Sequence, residues 1–261
     1  LIMLNRTSLP NNAFVSGLED PVAAPLLAGR WRQWAFGLHL PSTLQGYLFF
    51  LLCLLILAFT MVLHITLSAE SMRLDQKLGN HVPMDVMFRD EDGKQVRFGD
   101  YFGSKPLALV MIQYRCTMLC TEEMNVLMAS LKELKFTPGK EFNLVIVSID
   151  PREDAELAMG KKISYLAEYG RPEAAAGWHW LTGGKNEIDK LAASIGYHYV
   201  YDPKTDQYAH PDGVVLITPE GKIARYFFRL EYPARDLRLG LIEASRNRIG
   251  TPLDAIALLC Y

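Results

Sequence analysis

Two cysteines stand four positions apart in "MIQYRCTMLCTEEMN", residues 111–125, after an apolar run and before an acidic, helix-like segment. The chain has four cysteines; Cys53 lies inside an apolar run and Cys260 is next to the C-terminus, so only Cys116 and Cys120 form a local pair. Between a buried strand and a helix, such a pair has two chemistries open to it. A thiol at a helix N-terminus feels unpaired N–H groups and the positive dipole end, which favours the thiolate and disulfide exchange. At i, i+4 spacing both sulfurs also share one helix face, about a turn apart, and can grip a single ion. Soft thiolates select Cu(I) or zinc over magnesium or calcium. Disulfide-exchange pairs usually have two intervening residues; here there are three, Thr117, Met118 and Leu119. Structural zinc is disfavoured because no second cysteine pair supplies four ligands. The bland alternative is two inert thiols in a core.

A third ligand would be a histidine, and the chain has six. His39 and His64 belong to the leader and an apolar run, and His81 follows that run closely. His179, in "WHW", reads as packed between indoles, and His198, in "YHYVYD", is a weak candidate. His210, in "AHPDGVVLI", stands three residues before a strand, and its place depends on the elements around it.

From about Ser71 those elements form one soluble unit. "DEDGKQVRF" (90–98) reads as a hairpin around a Gly turn, and "LALVMIQY" (107–114) as a strand covered on both faces. Met124, Leu127, Met128, Leu131 and Leu134 recur at helical spacing until Pro138-Gly139 ends the unit. "FNLVIVSID" (142–150) is a second buried strand, and 155–169 and 185–195 look helical. "GVVLIT" (213–218), "PEGK" (219–222) and "IARYFF" (223–228) make an antiparallel hairpin, and 235–248 closes with a helix. This order is that of an α/β, thioredoxin-like domain with extra elements. In that fold the loop entering the hairpin strand faces the N-terminus of the redox helix, where His210 would meet the cysteines.

The rest of the chain concerns a membrane. "GYLFFLLCLLILAFTMVLHITLSA" (46–69) carries no charge, and a run of about 20 apolar residues matches a bilayer core. It is too long for a signal-peptide core and follows a leader of 43 residues, so a single transmembrane helix over 44–69 is expected. The predicted organisation is a leader over 1–43, that anchor, and a domain over 70–261. Arg30 and Arg32 before the run are matched by Arg73 and Lys77 after it, so the positive-inside rule leaves the orientation open. Trp31 and Trp34 beside the two arginines suit a membrane interface. A net charge of −2 provides no basic field for nucleic acid. Four cysteines in 261 residues are too few for a disulfide-stapled scaffold.

Several separated motifs together resemble the Sco/SenC family of membrane-anchored, thioredoxin-like copper proteins over 82–249. These are "YRCTMLC", "SIDPREDA" (148–155), "LTG" (181–183), and His210 followed by Leu216, Pro219 and Gly221 at six, nine and eleven positions. The resemblance implies a copper ion held by Cys116, Cys120 and His210, with the cysteines also able to reduce a target. It implies a role in assembling the copper centre of cytochrome c oxidase. The partner would be the copper-bearing subunit of that oxidase or a related respiratory complex. It also implies a bacterial inner membrane location with the leader cytoplasmic and the domain periplasmic. Thr117 replaces the family's proline, and Ala209 stands where many members have an aspartate. Cys260 lies beyond the family's core and reads as a buried thiol. The competing readings are a copper-free thiol–disulfide oxidoreductase and a structural subunit of a respiratory supercomplex.

Overall fold

The structure is a computed structural model describing residues 42–70, 73–116, 119–228 and 232–250. The leader with Trp31 and Trp34, the Thr117 substitution and Cys260 all lie outside the described residues. Helix α1 spans Ser42–Glu70. Its segment Leu44–Leu63, 20 residues of mean hydropathy 2.6, is long and apolar enough to cross a membrane.

The remainder is built on a five-stranded sheet. Strands β1 (Met87–Arg89) and β2 (Gln95–Arg97) form the expected hairpin. Then come β3 (Leu107–Ile112), α2 (Leu119–Glu133), β4 (Asn143–Ser148) and α3 (Ala155–Tyr169). They are followed by β5 (Trp178–Leu181), α4 (Lys185–Ser194) and the short strands β6 (Val200–Asp202) and β7 (Gln207–Ala209). β8 (Gly213–Ile217), β9 (Ile223–Phe228) and α5 (Ala234–Ser245) close the domain. The sheet order is β5-β4-β3-β8-β9, with β3, β4 and β5 parallel and β8 and β9 antiparallel.

The central strands are apolar throughout because both faces are covered. Along β3, Ala108, Val110 and Ile112 join the core under α2, α3 and α5. Leu107, Leu109 and Met111 join the core under α4 and the N-terminal hairpin. That alternation is the period of a strand with two buried sides. α2 buries Met124, Leu127, Met128 and Leu131 on one stripe. α3 starts where the Asp154 side chain accepts from Leu157 N at 2.9 Å and stops at Gly170, whose φ of +74° suits glycine.

Two elements depart from the sequence expectation. β5 forms at "WHWL" and pairs in parallel with β4. Strand alternation then puts Trp178 and Trp180 on one face and His179 on the other. His179 therefore does not sit between indoles; its ring packs on Tyr101, with centroids 4.5 Å apart. The second departure is the antiparallel β6–β7 pair, which precedes the His210 loop.

Candidate metal centre

The C-terminal ends of β3 and β4 carry the first half of the site. β3 runs out at Ile112, and the chain turns through Gln113, Tyr114 and Arg115 to Cys116. One carboxylate fixes that turn. Glu153, just 5% exposed, accepts from the backbone N–H groups of Tyr114 (2.9 Å) and Arg115 (2.7 Å) and from Ser148 Oγ (2.5 Å). Burial raises its pKa, and these three donors oppose the rise. Thr121, in the first turn of α2, donates its hydroxyl to the Cys116 carbonyl at 2.9 Å.

Cys116 and Cys120 are both buried thiols. Cys116 lies ahead of α2 rather than on it, so the sulfurs do not stack by helical spacing as expected. The two side chains are nonetheless hydrogen-bonded neighbours. The expected stabilisation of a thiolate also fails at Cys120. Burial, and then the Cys116 thiol beside it, push its pKa well up against the smaller pull of a Gln113 backbone hydrogen bond. Tyr114, Tyr165 and Trp180 line a small pocket with both cysteines. The Tyr165 and Trp180 rings stack at 5.4 Å.

The second half arrives from the other side of the sheet. His210 sits on the loop between β7 and β8, and its Nε2 lies 2.8 Å from Cys120 Sγ. The Nδ1–H donates to the Pro211 carbonyl at 3.1 Å, which leaves Nε2 as the lone-pair nitrogen facing the sulfur. Burial pushes the His210 pKa down, against the smaller opposing pull of Pro211 and Asp212, so the imidazole is neutral. Cys120 S–H is then the donor and His210 the acceptor. Tyr197 stacks on the imidazole with centroids 6.2 Å apart.

Gln113 joins the two halves. Its side-chain NH₂ donates to Asp150 Oδ2 at 3.1 Å, while its carbonyl accepts from Tyr208 N, also at 3.1 Å. Arg152 grips Asp150 with Nε on Oδ1 (2.8 Å) and Nη2 on Oδ2 (2.7 Å) and reaches Asp206 in the β6–β7 turn. The Asp150 carboxyl is held below the usual carboxylate range; burial would raise it, but the Arg152 hydrogen bonds win. His198 is elsewhere, with its Nε2 2.9 Å from Asp75 Oδ2. The structure thus brings Cys116, Cys120 and His210 together and leaves His179 and His198 apart.

Sequence reasoning missed Glu153, Gln113 and Glu123. Glu123 is completely buried although titratable, burial pushes its pKa well up, and it falls on the apolar stripe of α2 with Cys120 and Leu127. A carboxylate on a core-facing stripe was the available signal.

Cys120 with His210 Nε2 on one side and the Cys116 thiol on the other offers, once the thiols give up their protons, the sulfur and nitrogen donors a soft or borderline cation takes. The family model described as SCO1/SenC matches residues 75–238, more than half of the chain. The chain belongs to the SCO1/SenC family. A search of curated proteins finds no match. Among solved structures, a protein of Aquifex aeolicus VF5 is 25% identical with a TM-score of 0.57, covering 66% of this chain and 96% of that one. Arabidopsis thaliana ScoI, solved with copper bound, is 22% identical with a TM-score of 0.50, covering 65% and 99%. A SCO1/SenC family lipoprotein of Bacillus anthracis is 19% identical with a TM-score of 0.52, covering 65% and 96%. The latter two likenesses are of fold.

Proposed function

We propose that this chain is a membrane-anchored copper metallochaperone that helps assemble the copper centre of cytochrome c oxidase. The observation that carries the reading is the Cys120–His210 contact of 2.8 Å with the Cys116 thiol alongside. Copper is the cargo. Cys116 and Cys120 supply the two sulfurs and His210 Nε2 the nitrogen, three donors that leave room for a partner's ligand to attack. The raised Cys120 pKa fits this role, because a buried thiol keeps its proton until a cation takes the proton's place. Copper-bound Arabidopsis ScoI, on the same fold, supports the choice of ion.

In this reading residues 1–43 are a cytoplasmic leader, 44–69 the anchor in a bacterial inner membrane, and 70–261 a periplasmic domain. The apolar helix and the lipoprotein relative support attachment to a membrane. The partner is the copper-bearing subunit of the oxidase or of a related respiratory complex. Labelling of a cysteine introduced at Lys77 by an impermeant thiol reagent in spheroplasts tests the orientation. Reaction only in broken membranes overturns it.

The adjacent thiols favour a second, compatible reading as a thiol reductase. Oxidation of Cys116 and Cys120 to a disulfide would pass two electrons and two protons to a disulfide on the partner.

Copper affinity tests the ligand set. Cu(I) accepts two thiolates, whereas Cu(II) favours nitrogen and more ligands. His210→Ala should cost Cu(II) affinity at least about 10–100-fold, the scale of outer-shell losses, and cost Cu(I) affinity less. His198→Ala is the control and should match the parent. Cu(II) binding that survives His210→Ala but not His198→Ala would show the assignment to be wrong.

A further inference from the structure

His210 has a second set of neighbours. Glu123, one turn along α2 from Cys120, and Asp212, two residues beyond His210, each bring a carboxylate oxygen to the imidazole. The three ligand atoms lie within 4.8 Å of one another. Glu123 is 0% exposed. Its Oε1 accepts from Gly213 N at 2.8 Å and from the Tyr232 hydroxyl at 3.4 Å. Its Oε2 is buried with no hydrogen-bond donor, and the carboxyl that neighbours it is that of Asp212. A buried carboxyl oxygen left without a donor costs about 1–3 kcal/mol. Burial disfavours charge on both carboxyls, and the facing Asp212 disfavours it further on Glu123. A cation between the two would relieve both.

We propose that Glu123, His210 and Asp212 form a second cation site beside the thiol pair, taking a divalent first-row ion on oxygen and nitrogen. The inference rests on the copper reading only in that His210 is the donor the two sites share. Ligands about 2.0–2.2 Å from a zinc-sized ion lie within about 4.4 Å of one another, close to the bound of 4.8 Å that these three atoms meet. One imidazole and two carboxylates suit a borderline divalent ion. Cu(I) prefers the sulfurs, and calcium wants six to eight oxygens. The two sites therefore differ in softness and compete for one ring. An ion on the carboxylates pulls His210 away from Cys120, and by linkage each ion weakens the other's hold wherever both need the imidazole.

The test uses the full chain in detergent with Cys116→Ala and Cys120→Ala together, which removes the thiol site, and Co(II) alone as the probe. One equivalent of Co(II) should bind, with visible bands of nitrogen and oxygen ligation and no sulfur charge-transfer band. Asp212→Asn on that background should weaken binding at least about 10-fold, and Glu123→Gln should do the same. Asp212 is half-buried, so its variant keeps the test open if the Glu123 variant fails to fold by circular dichroism. Absence of saturable Co(II) binding would leave only a proton shared between the carboxyls and overturns the site. Equal affinity in the parent background and Asp212→Asn overturns it as well. Cu(I) binding by the unmodified chain is read separately. Its loss would sink the copper reading and leave the carboxylate site standing.

Discussion

The two halves of the site are held in different ways. On the cysteine side, a single buried carboxylate, Glu153, fixes the main chain itself through two N–H groups, and Cys116 and Cys120 are 7% and 3% exposed. On the histidine side, support comes through side chains on a short hairpin. Tyr199 and Tyr201 pack on Tyr208 at 5.6 and 5.1 Å, and Gln113 reaches across to Tyr208 N. The sulfur pair is thus part of the core, while the imidazole rests on a partly exposed arm. Under the proposed copper reading, that asymmetry would give a site with two firmly held donors and a third on a less buried support.

The largest loss should come from Glu153→Ala. It orphans the buried Tyr114 N–H and the part-buried Arg115 N–H, so stability should fall by about 2–4 kcal/mol, read by denaturant titration. Cu(I) and Cu(II) affinity should fall together, because the sulfurs serve both ions. Glu153→Gln, which still accepts hydrogen bonds, should cost less.

Gln113→Ala probes the other half. It removes the acceptor of Tyr208 N and the donor to Asp150, and should cost about 1–2 kcal/mol. Its mark should be selective: Cu(II) affinity drops while Cu(I) affinity stays near the parent value. Equal losses for both ions would erase the distinction between firmly and less firmly held donors.

The smallest effect is one of pH. Asp150 has a depressed pKa in the folded chain, so its stabilising contribution is complete above the unfolded carboxylate value of about 3.9 and is lost as pH falls through the lower folded value. Asp150→Asn should flatten that part of the acid unfolding curve, followed by circular dichroism below about pH 4. An unchanged curve would remove Asp150 from the link between the halves.

The same asymmetry governs what the sequence made legible. β3 and β4 are continuous apolar runs because both faces are buried, and α3 carries its own cap at Asp154 and its own stop at Gly170. The Cys116, Cys120 and His210 positions were readable from spacing and resemblance, and the fold brings them together. β5 was hidden because "WHWL" is too short to show a period, and it gains its partner only from β4. β6 and β7 have three residues each, all exposed or half-exposed, so no hydrophobic pattern marks them. Glu153 stood within a recognised motif, but two of its three partners are backbone N–H groups 38 and 39 positions away, which composition cannot reveal.

Trp180 has a consequence of its own. Its indole lines the same small pocket as Cys116 and Cys120, close enough for its emission to sense what the sulfurs carry. Thiols, a disulfide and a bound copper ion quench an indole to different extents, so the protein contains its own optical gauge of cargo and oxidation state. Trp178 lies on the same face but packs on Tyr169 instead, and it supplies a steady background. Trp180→Phe should therefore silence most of the intensity change on copper loading, and Trp178→Phe should preserve it.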